Sequence, residues 1–398
     1  MTGNSFSVSG YGPARAGWTR ILARDSLARR LDWPMLFAAT ALSLIGSLLV
    51  YSATRNRTEI NQGDPYYFLI RHLMNLGIGL ALMVGTLWLG HRALRNAVPI
   101  LYGTSLLGVL LVLTPLGATI NGSRNWIVFG GGFSLQPAEF VKITIILGMA
   151  MILAARVDAG DKPYPDHRTV LQSLGLATVP ILIVLLMPDL GTVLAMVAII
   201  LGVLLASGAS NRWIFGLLTA GVIGCVAIWQ LHILDEYQIN RFAAFANPDL
   251  DPAGVGYNTN QARIAIGSGG LTGAGLFHGS QTTGQFVPEQ QTDFVFTVAG
   301  EELGFVGAGL IILLLGVILW RACRIARDST ELYGTIVAAG IVAWFAFQAF
   351  ENIGMTLGIM PVTGLPLPFV SYGGSSMFAV WVAIGLLQSI KVQRPMSA

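Results

Sequence analysis

Charge is what this chain has least of. Only 11% of its 398 residues are Asp, Glu, Lys or Arg, against 54% hydrophobic, where a soluble domain carries roughly a quarter charged residues. A water-facing surface cannot be covered with so few charges, so the composition excludes an ordinary soluble enzyme and points to a polytopic membrane protein. Cysteine is nearly missing as well. Cys225 and Cys323 lie far apart in or beside apolar runs, without metal or redox spacing, and read as inert packing residues. The histidines His72, His91, His167, His232 and His278 form no ligand pattern, which argues against a metal held by imidazole. The small net charge of +3 is spread along the chain and offers no patch to nucleic acid. No Gly-Lys-Ser/Thr motif interrupts the short basic loops, so no nucleotide cofactor is expected. No Ala-x-Ala cleavage box follows the first apolar run, which is read as a retained span.

What the chain has is apolar length. A helical span needs ~20 mostly apolar residues, and ten runs qualify: 32–52, 69–89, 98–115, 139–155, 170–187, 190–207, 212–232, 294–319, 333–355 and 376–390. The expected fold is all-α and polytopic, with ten transmembrane helices. A basic tail covers 1–31, the membrane domain 32–390 and a short tail 391–398, and one long extracytoplasmic loop, 233–293, separates spans seven and eight. Lysine and arginine orient the set. With the N-terminus inside, the inner segments hold five arginines in the tail plus Arg92, Arg95, Arg156, Lys162, Arg168, Arg212, Arg321, Arg324, Arg327, Lys391 and Arg394. The outer segments hold Arg55, Arg57, Arg124, Arg241 and Arg263. Sixteen against five places both termini in the cytoplasm. Chemistry then belongs to the outer face, where ATP and nucleotide sugars are absent, so a substrate must arrive already activated, for instance on a lipid.

The polar groups that remain are few enough to weigh singly. Glu139 and Lys142, in Gln136-Pro137-Ala138-Glu139-Phe140-Val141-Lys142, are three apart and share a helix face. They form either a structural ion pair or a cavity-facing pair that offers positive charge to a phosphate. Asp293 ends the long loop at the membrane boundary, where a helix N-cap and a catalytic base are equally good readings. Glu301 and Glu302 lie ~12–14 Å deeper at 1.5 Å per residue and are expected to be buried, hydrogen-bonded carboxylates. The glycines of the loop suit turns or amide cradles for phosphate, and its apolar residues suit re-entrant pieces. The uncharged stretch from Pro361 to Ser376, with three prolines, is expected to dip back into the bundle, since such backbone at membrane depth must be buried in protein or line a wet cavity.

Together these segments resemble the shape, elongation, division and sporulation (SEDS) family. The resemblance rests on the Gln136–Lys142 motif, Pro188-Asp189-Leu190-Gly191-Thr192, Ala265-Ile266-Gly267-Ser268-Gly269-Gly270, Thr292-Asp293-Phe294 with Glu301-Glu302, and Asn352-Ile353-Gly354-Met355 through Ser376. It covers roughly residues 32–390. Leu31-Asp32-Trp33 and Tyr51-Ser52-Ala53-Thr54 lean to its RodA branch over its FtsW branch. Departures are Asn125 and Ala274, where the family commonly carries cations, and Met187 and Ala138.

The resemblance implies a peptidoglycan glycosyltransferase of the bacterial cytoplasmic membrane that polymerises lipid II on the outer face, for cell elongation and shape. It implies a class B penicillin-binding protein as partner, Asp293 as the essential carboxylate, and Glu139, Lys142 and Arg124 lining the same cavity. Trp126 and Ser371, within matching segments, and the external carboxylates Asp189 and Glu289 are further substrate-binding candidates. Charge on the departing pyrophosphate could be met by Arg124, Lys142 or a divalent cation, magnesium or manganese. The rival readings are a lipid II flippase, which broken helices and intramembrane pairs also suit, and a non-catalytic scaffold, in which Asp293 is dispensable. The orientation is testable by itself. In a background without Cys225 and Cys323, a cysteine at Ala246 should react with a membrane-impermeant thiol reagent in whole cells and one at Ala159 should not; the reverse pattern overturns the outer-face placement.

Overall fold

A computed structural model describes residues 27–58, 61, 63–120, 123–129, 133–161, 163–187, 189–230 and 255–393. Residues 233–254 of the expected external loop, Ala246 among them, lie outside that set. The chain is a helical bundle, and each expected apolar run falls on helix. Helix α1 is Trp33–Thr54 and α2 is Tyr67–Leu113. After a small sheet come α3 (Pro137–Asp158), α4 (His167–Leu185), α5 (Leu190–Ala206) and α6 (Asn211–Gln230). Then follow α7 (Val255–Ser268), α8 (Val295–Glu302), α9 (Gly304–Arg327), α10 (Leu332–Leu357) and α11 (Gly374–Val392). Among the described residues seven helices are long and apolar enough to cross a membrane, and Leu190–Ala206 is a shorter apolar one.

Three features depart from a row of simple spans. The second and third runs are two helices that meet within α2 without a loop, at Gly90, whose φ of 78° and ψ of 150° are not helical. A left-handed φ suits glycine, and the amide freed beyond it, that of His91, donates to Ser389 Oγ at 2.7 Å on α11. The eighth run is broken at Leu303–Gly304 into α8 and α9. The external loop crosses this break, with Ala274 N donating to Glu301 O at 2.9 Å and Phe305 N to Gly270 O at 2.9 Å, so the interrupted backbone is satisfied by protein. The segment between α2 and α3 carries an antiparallel sheet in the order β1 (Gly117–Ile120), β2 (Ser123–Phe129), β3 (Phe133–Leu135), with Gly117 opposite Ile127 and Ile127 opposite Leu135. The hydropathy pattern gives no hint of it, because the strands are short and half exposed.

The core lies where α3, α5, α10 and α11 meet. Trp344, Phe345 and Trp381 are buried there with Phe369 from the stretch before α11. Phe369 stands edge-on to both Phe345 and Trp381, with centroids 5.4 and 5.9 Å away. Such contacts add ~0.5–1.5 kcal/mol each beyond area burial. That stretch is therefore packed into the bundle, as its prolines and lack of charge lead one to expect.

The start of the bundle is pinned by charge. Asp32 caps α1 through Met35 N at 3.3 Å and accepts from Arg321 (2.8, 3.0 and 2.6 Å) and from Lys391 Nζ (2.9 Å), while its own N–H donates to Gln388 Oε1 at 2.7 Å. One carboxylate thus joins α1, α9 and α11. Removing one partner from a buried charge cluster costs ~3–5 kcal/mol, and less here, because Arg321 and Lys391 keep 17% and 23% of their side chains exposed. Asp32→Ala should lower the melting midpoint in detergent by several degrees, and the double variant Asp32→Ala, Arg321→Met should recover part of the loss. Equal melting of Asp32→Ala and the wild type would mean the pin is slack.

Candidate active site around Asp293

Asp293 ends a tight turn. Glu289 takes a left-handed φ of 49°, and its carbonyl accepts the N–H groups of Thr292, Asp293 and Phe294 at 3.2, 3.1 and 3.2 Å. Helix α8 starts only at Val295, with Phe294 in the cap position and no side-chain cap. Asp293 therefore stands one position before the N-cap, not at it: the turn supplies the first bonds through the Glu289 carbonyl, and the Asp293 carboxylate is half-buried. Gly364 faces it, and a Cβ built there would stand 3.2 Å from Asp293 Oδ2. Gly364 also has φ 79°, a backbone that favours glycine, and a Cβ there would press on the carboxylate.

Three successive carbonyls of the turn are tied to the neighbouring segment. Gln291 O accepts from Tyr372 N at 2.8 Å, Thr292 O from Ser371 Oγ at 2.5 Å, and Asp293 O from Asn352 Nδ2 at 2.8 Å. Ser371 Oγ also accepts from Leu367 N at 2.8 Å and is buried, so this candidate joins two stretches of backbone. Asn352 Nδ2 donates in addition to Leu365 O at 2.7 Å. Thr363 donates to the buried Glu351 carboxylate.

Glu139 and Lys142 lie under the same Pro-rich segment. They form the expected pair, Nζ to Oε1 2.7 Å, with side chains 1% and 0% exposed. Lys142 Nζ also donates to Gln348 Oε1 at 3.1 Å and lies 4.7 Å from the centroid of the Trp344 ring. Gln348 Nε2 donates to Pro366 O at 2.7 Å, one residue from the Leu365 carbonyl that Asn352 holds. A continuous chain of contacts thus runs from the ion pair through Gln348 and the 365–366 backbone to Asn352 and Asp293. Trp344, Gln348 and Asn352 recur at every fourth position of α10 and so share a face. Polar residues at that spacing in an apolar run are the signal that could have singled out Gln348, which sequence reasoning passed over.

The other candidates have partners of their own. Asp189 is the N-cap of α5, accepting from Thr192 N at 3.0 Å and Thr192 Oγ1 at 2.8 Å, with Asn125 Nδ2 (3.1 Å) and Gln136 Nε2 (3.4 Å) on its second oxygen. Arg124 and Trp126 stand on β2, and among the described residues Arg124 donates to Thr114 O at 2.6 Å. Glu289 accepts from Gln291 Nε2 at 3.2 Å and Thr292 Oγ1 at 3.3 Å. Arg57, absent from the sequence-based candidates, holds the turn from the α1–α2 connection through Val287 O (3.0 Å) and Gln291 Oε1 (3.4 Å). Burial pushes its guanidinium below the ordinary arginine value, and the Glu289 charge pulls it back up. Glu301 accepts from Gln281 N, Thr282 N and Thr282 Oγ1 at 2.7–2.8 Å, and Glu302 accepts from Ser52 Oγ at 2.5 Å, so both bind the external loop and α1 to α8. Among the described residues no three His, Cys, Asp or Glu side chains cluster as metal ligands.

The ion pair makes a separable prediction. Lys142→Met strands a buried carboxylate, whose second oxygen, Oε2, already has no hydrogen-bond partner among the described residues, and removing one partner of a buried pair costs ~3–5 kcal/mol. The double variant Glu139→Gln, Lys142→Met should melt well above Lys142→Met alone; additive losses would show the two charges to be uncoupled.

The whole chain has known likenesses. A family model described as "Cell cycle protein" and named for FtsW, RodA and SpoVE matches residues 32–395. "Stage V sporulation protein E" of Bacillus subtilis is 37% identical over 90% of this chain and 96% of its own length. "Probable peptidoglycan glycosyltransferase FtsW" of Trichlorobacter lovleyi is 35% identical over 93% of this chain and 95% of its own. A solved structure described as "Structural coordination of polymerization and crosslinking by a peptidoglycan synthase complex" contains a chain 30% identical, matching with a TM-score of 0.74 over 91% of this chain and 97% of that one.

Proposed function

The chain belongs to the FtsW, RodA and SpoVE family of integral membrane proteins, and on that premise we propose that it is a peptidoglycan glycosyltransferase that polymerises lipid II on the outer face of the bacterial cytoplasmic membrane. The name of the FtsW relative supports the activity. The observation that carries the assignment of the site is the half-buried Asp293 carboxylate beside Gly364, its own backbone held by the Glu289 carbonyl and by the Asn352 amide.

In the proposed reaction the 4-hydroxyl of an acceptor GlcNAc attacks C1 of the donor MurNAc. The C1–O bond to undecaprenyl pyrophosphate breaks as the new one forms, with inversion, and Asp293 takes the hydroxyl proton. A sugar hydroxyl is a poor nucleophile at neutral pH, and a positioned base contributes ~10²–10⁴-fold. Lys142, fully buried with Glu139 and Gln348, acts in this reading through the backbone it supports more than by touching phosphate. Arg124, Trp126, Asp189, Glu289 and Ser371 are proposed to border the substrate path, with Arg124 on the exposed β2 as the cation open to a pyrophosphate. A divalent cation, magnesium or manganese, would be held largely by the pyrophosphate itself, with Asp293 or Glu289 adding a carboxylate.

Asp293→Asn should insert and fold, because the amide keeps the shape of the carboxylate and Phe294 is the cap residue of α8, yet make no glycan from lipid II in a gel assay. Near-normal polymer from that variant would remove the base assignment and leave transport or scaffolding as the role. The partner is proposed to be a class B penicillin-binding protein, a reading that the synthase-complex likeness supports. Co-expression should recover such a protein with this chain and raise its polymer yield; a fully active chain that retains none overturns the proposal. The role in elongation rests on Leu31-Asp32-Trp33 and Tyr51-Ser52-Ala53-Thr54, while relatives named Stage V sporulation protein E and FtsW stand on the other side. Depletion should round the cells, and filaments would reassign it to division.

A further inference from the structure

Asn352 is fully buried about a turn and a half from the end of α10, and its one amide nitrogen donates to two carbonyls on different segments: Asp293 O at 2.8 Å and Leu365 O at 2.7 Å. Those two segments are the walls of the Asp293 carboxylate. The first is the carboxylate's own main chain, and the second carries Gly364, where an added Cβ would stand 3.2 Å from Asp293 Oδ2. A single planar NH₂ group therefore sets the spacing between the reacting side chain and the wall it faces. The orientation of the amide follows from chemistry, since a flipped amide would set Oδ1 against two carbonyl oxygens. Its Oδ1 is buried without a hydrogen-bond partner among the described residues. Burying an unpaired acceptor costs ~1–3 kcal/mol. An apolar residue of the same shape would avoid that cost at Oδ1, so the side chain is matched to its two donor bonds and to nothing else around it.

We infer that Asn352 is the positioning residue for Asp293, holding the base and the Gly364 wall in register so that the carboxylate meets the acceptor hydroxyl. The inference rests on the reading of Asp293 as the base. Asn352 touches no reacting atom. Its effect is on distance, and a misplacement of ~1 Å at a reacting centre can cost ~10²-fold in rate. Serine, with one hydroxyl donor, could satisfy one carbonyl at a time. Leucine, close to asparagine in shape, could satisfy neither.

The test is steady-state polymerisation of lipid II by purified full-length Asn352→Ser and Asn352→Leu, each normalised to its monodisperse, folded fraction, beside the wild type and Asp293→Asn. A positioning role predicts a graded fall in kcat, ~10-fold for Ser and ~10²-fold for Leu, with KM for lipid II within about twofold. Should Asn352→Leu fail to fold, Asn352→Ser alone decides, since one remaining donor still predicts lowered kcat at unchanged KM. Wild-type kcat per folded molecule in the Ser or Leu variant overturns the inference, as does a rise in KM that accounts for the whole loss. Asp293→Asn keeps the two questions apart. If it is inactive while the Asn352 variants turn over normally, the base stands and the positioning role falls. If it is active, the base reading itself falls.

Discussion

The structure depends on one constraint: backbone that is not helical has to find hydrogen bonds inside the protein when it lies among apolar helices. The stretch between α10 and α11 contains Pro361, Pro366 and Pro368, so it can neither continue a helix nor donate at those positions. Its carbonyls are met by side-chain amides of α10, Asn352 on Leu365 and Gln348 on Pro366. The same amides reach the Asp293 turn and Lys142. The need to satisfy an irregular segment has thus gathered in one place the polar groups from which a site can be built.

Buried charge follows the same economy. Lys142 is sheltered on three sides by Glu139, Gln348 and the face of Trp344, and Asp32 by Arg321, Lys391 and the Met35 amide. Desolvating such groups costs several kcal/mol per ion, so neither set is evidence of surplus stability. What each gives is geometry, joining helices far apart in the chain at defined points. The Asp32 set joins the beginning of α1 to α9 and α11, and the Lys142 set carries α3 against α10.

How much of this was legible in the sequence depends on the range of the interaction. Apolar runs and the i,i+3 relation of Glu139 to Lys142 are local, so the helices and that ion pair could be read directly. The SEDS resemblance, which the family match bears out, picked out the Asp293 and Asn352 segments as motifs. What could not be read was who meets whom. Nothing near Asp293 announces that its helix is started by the Glu289 carbonyl, because that follows from a left-handed residue four positions earlier. The amide of Asn352 has no intrinsic target, and its partners lie 59 and 13 residues away. The sheet at 117–135 was missed because its strands are short and carry no clean alternation. The break at Gly304 was hidden because the hydropathy of 294–319 is continuous across it.

The three carbonyls of residues 291–293, each held by a donor from Asn352, Ser371 or Tyr372, give the turn something like the register of a ladder with unequal rungs. Side chains facing outward from such a turn can vary without disturbing it, because its bonds are made mostly by main chain. Its length cannot vary in the same way. One residue added or removed between Glu289 and Asp293, or between Pro361 and Tyr372, would put the Ser371 and Tyr372 donors out of register with their carbonyls. Apart from the positions named above, this rim is therefore confined in spacing more than in composition, and new behaviour is more readily built by lengthening the external loop ahead of Glu289 than by altering the turn itself.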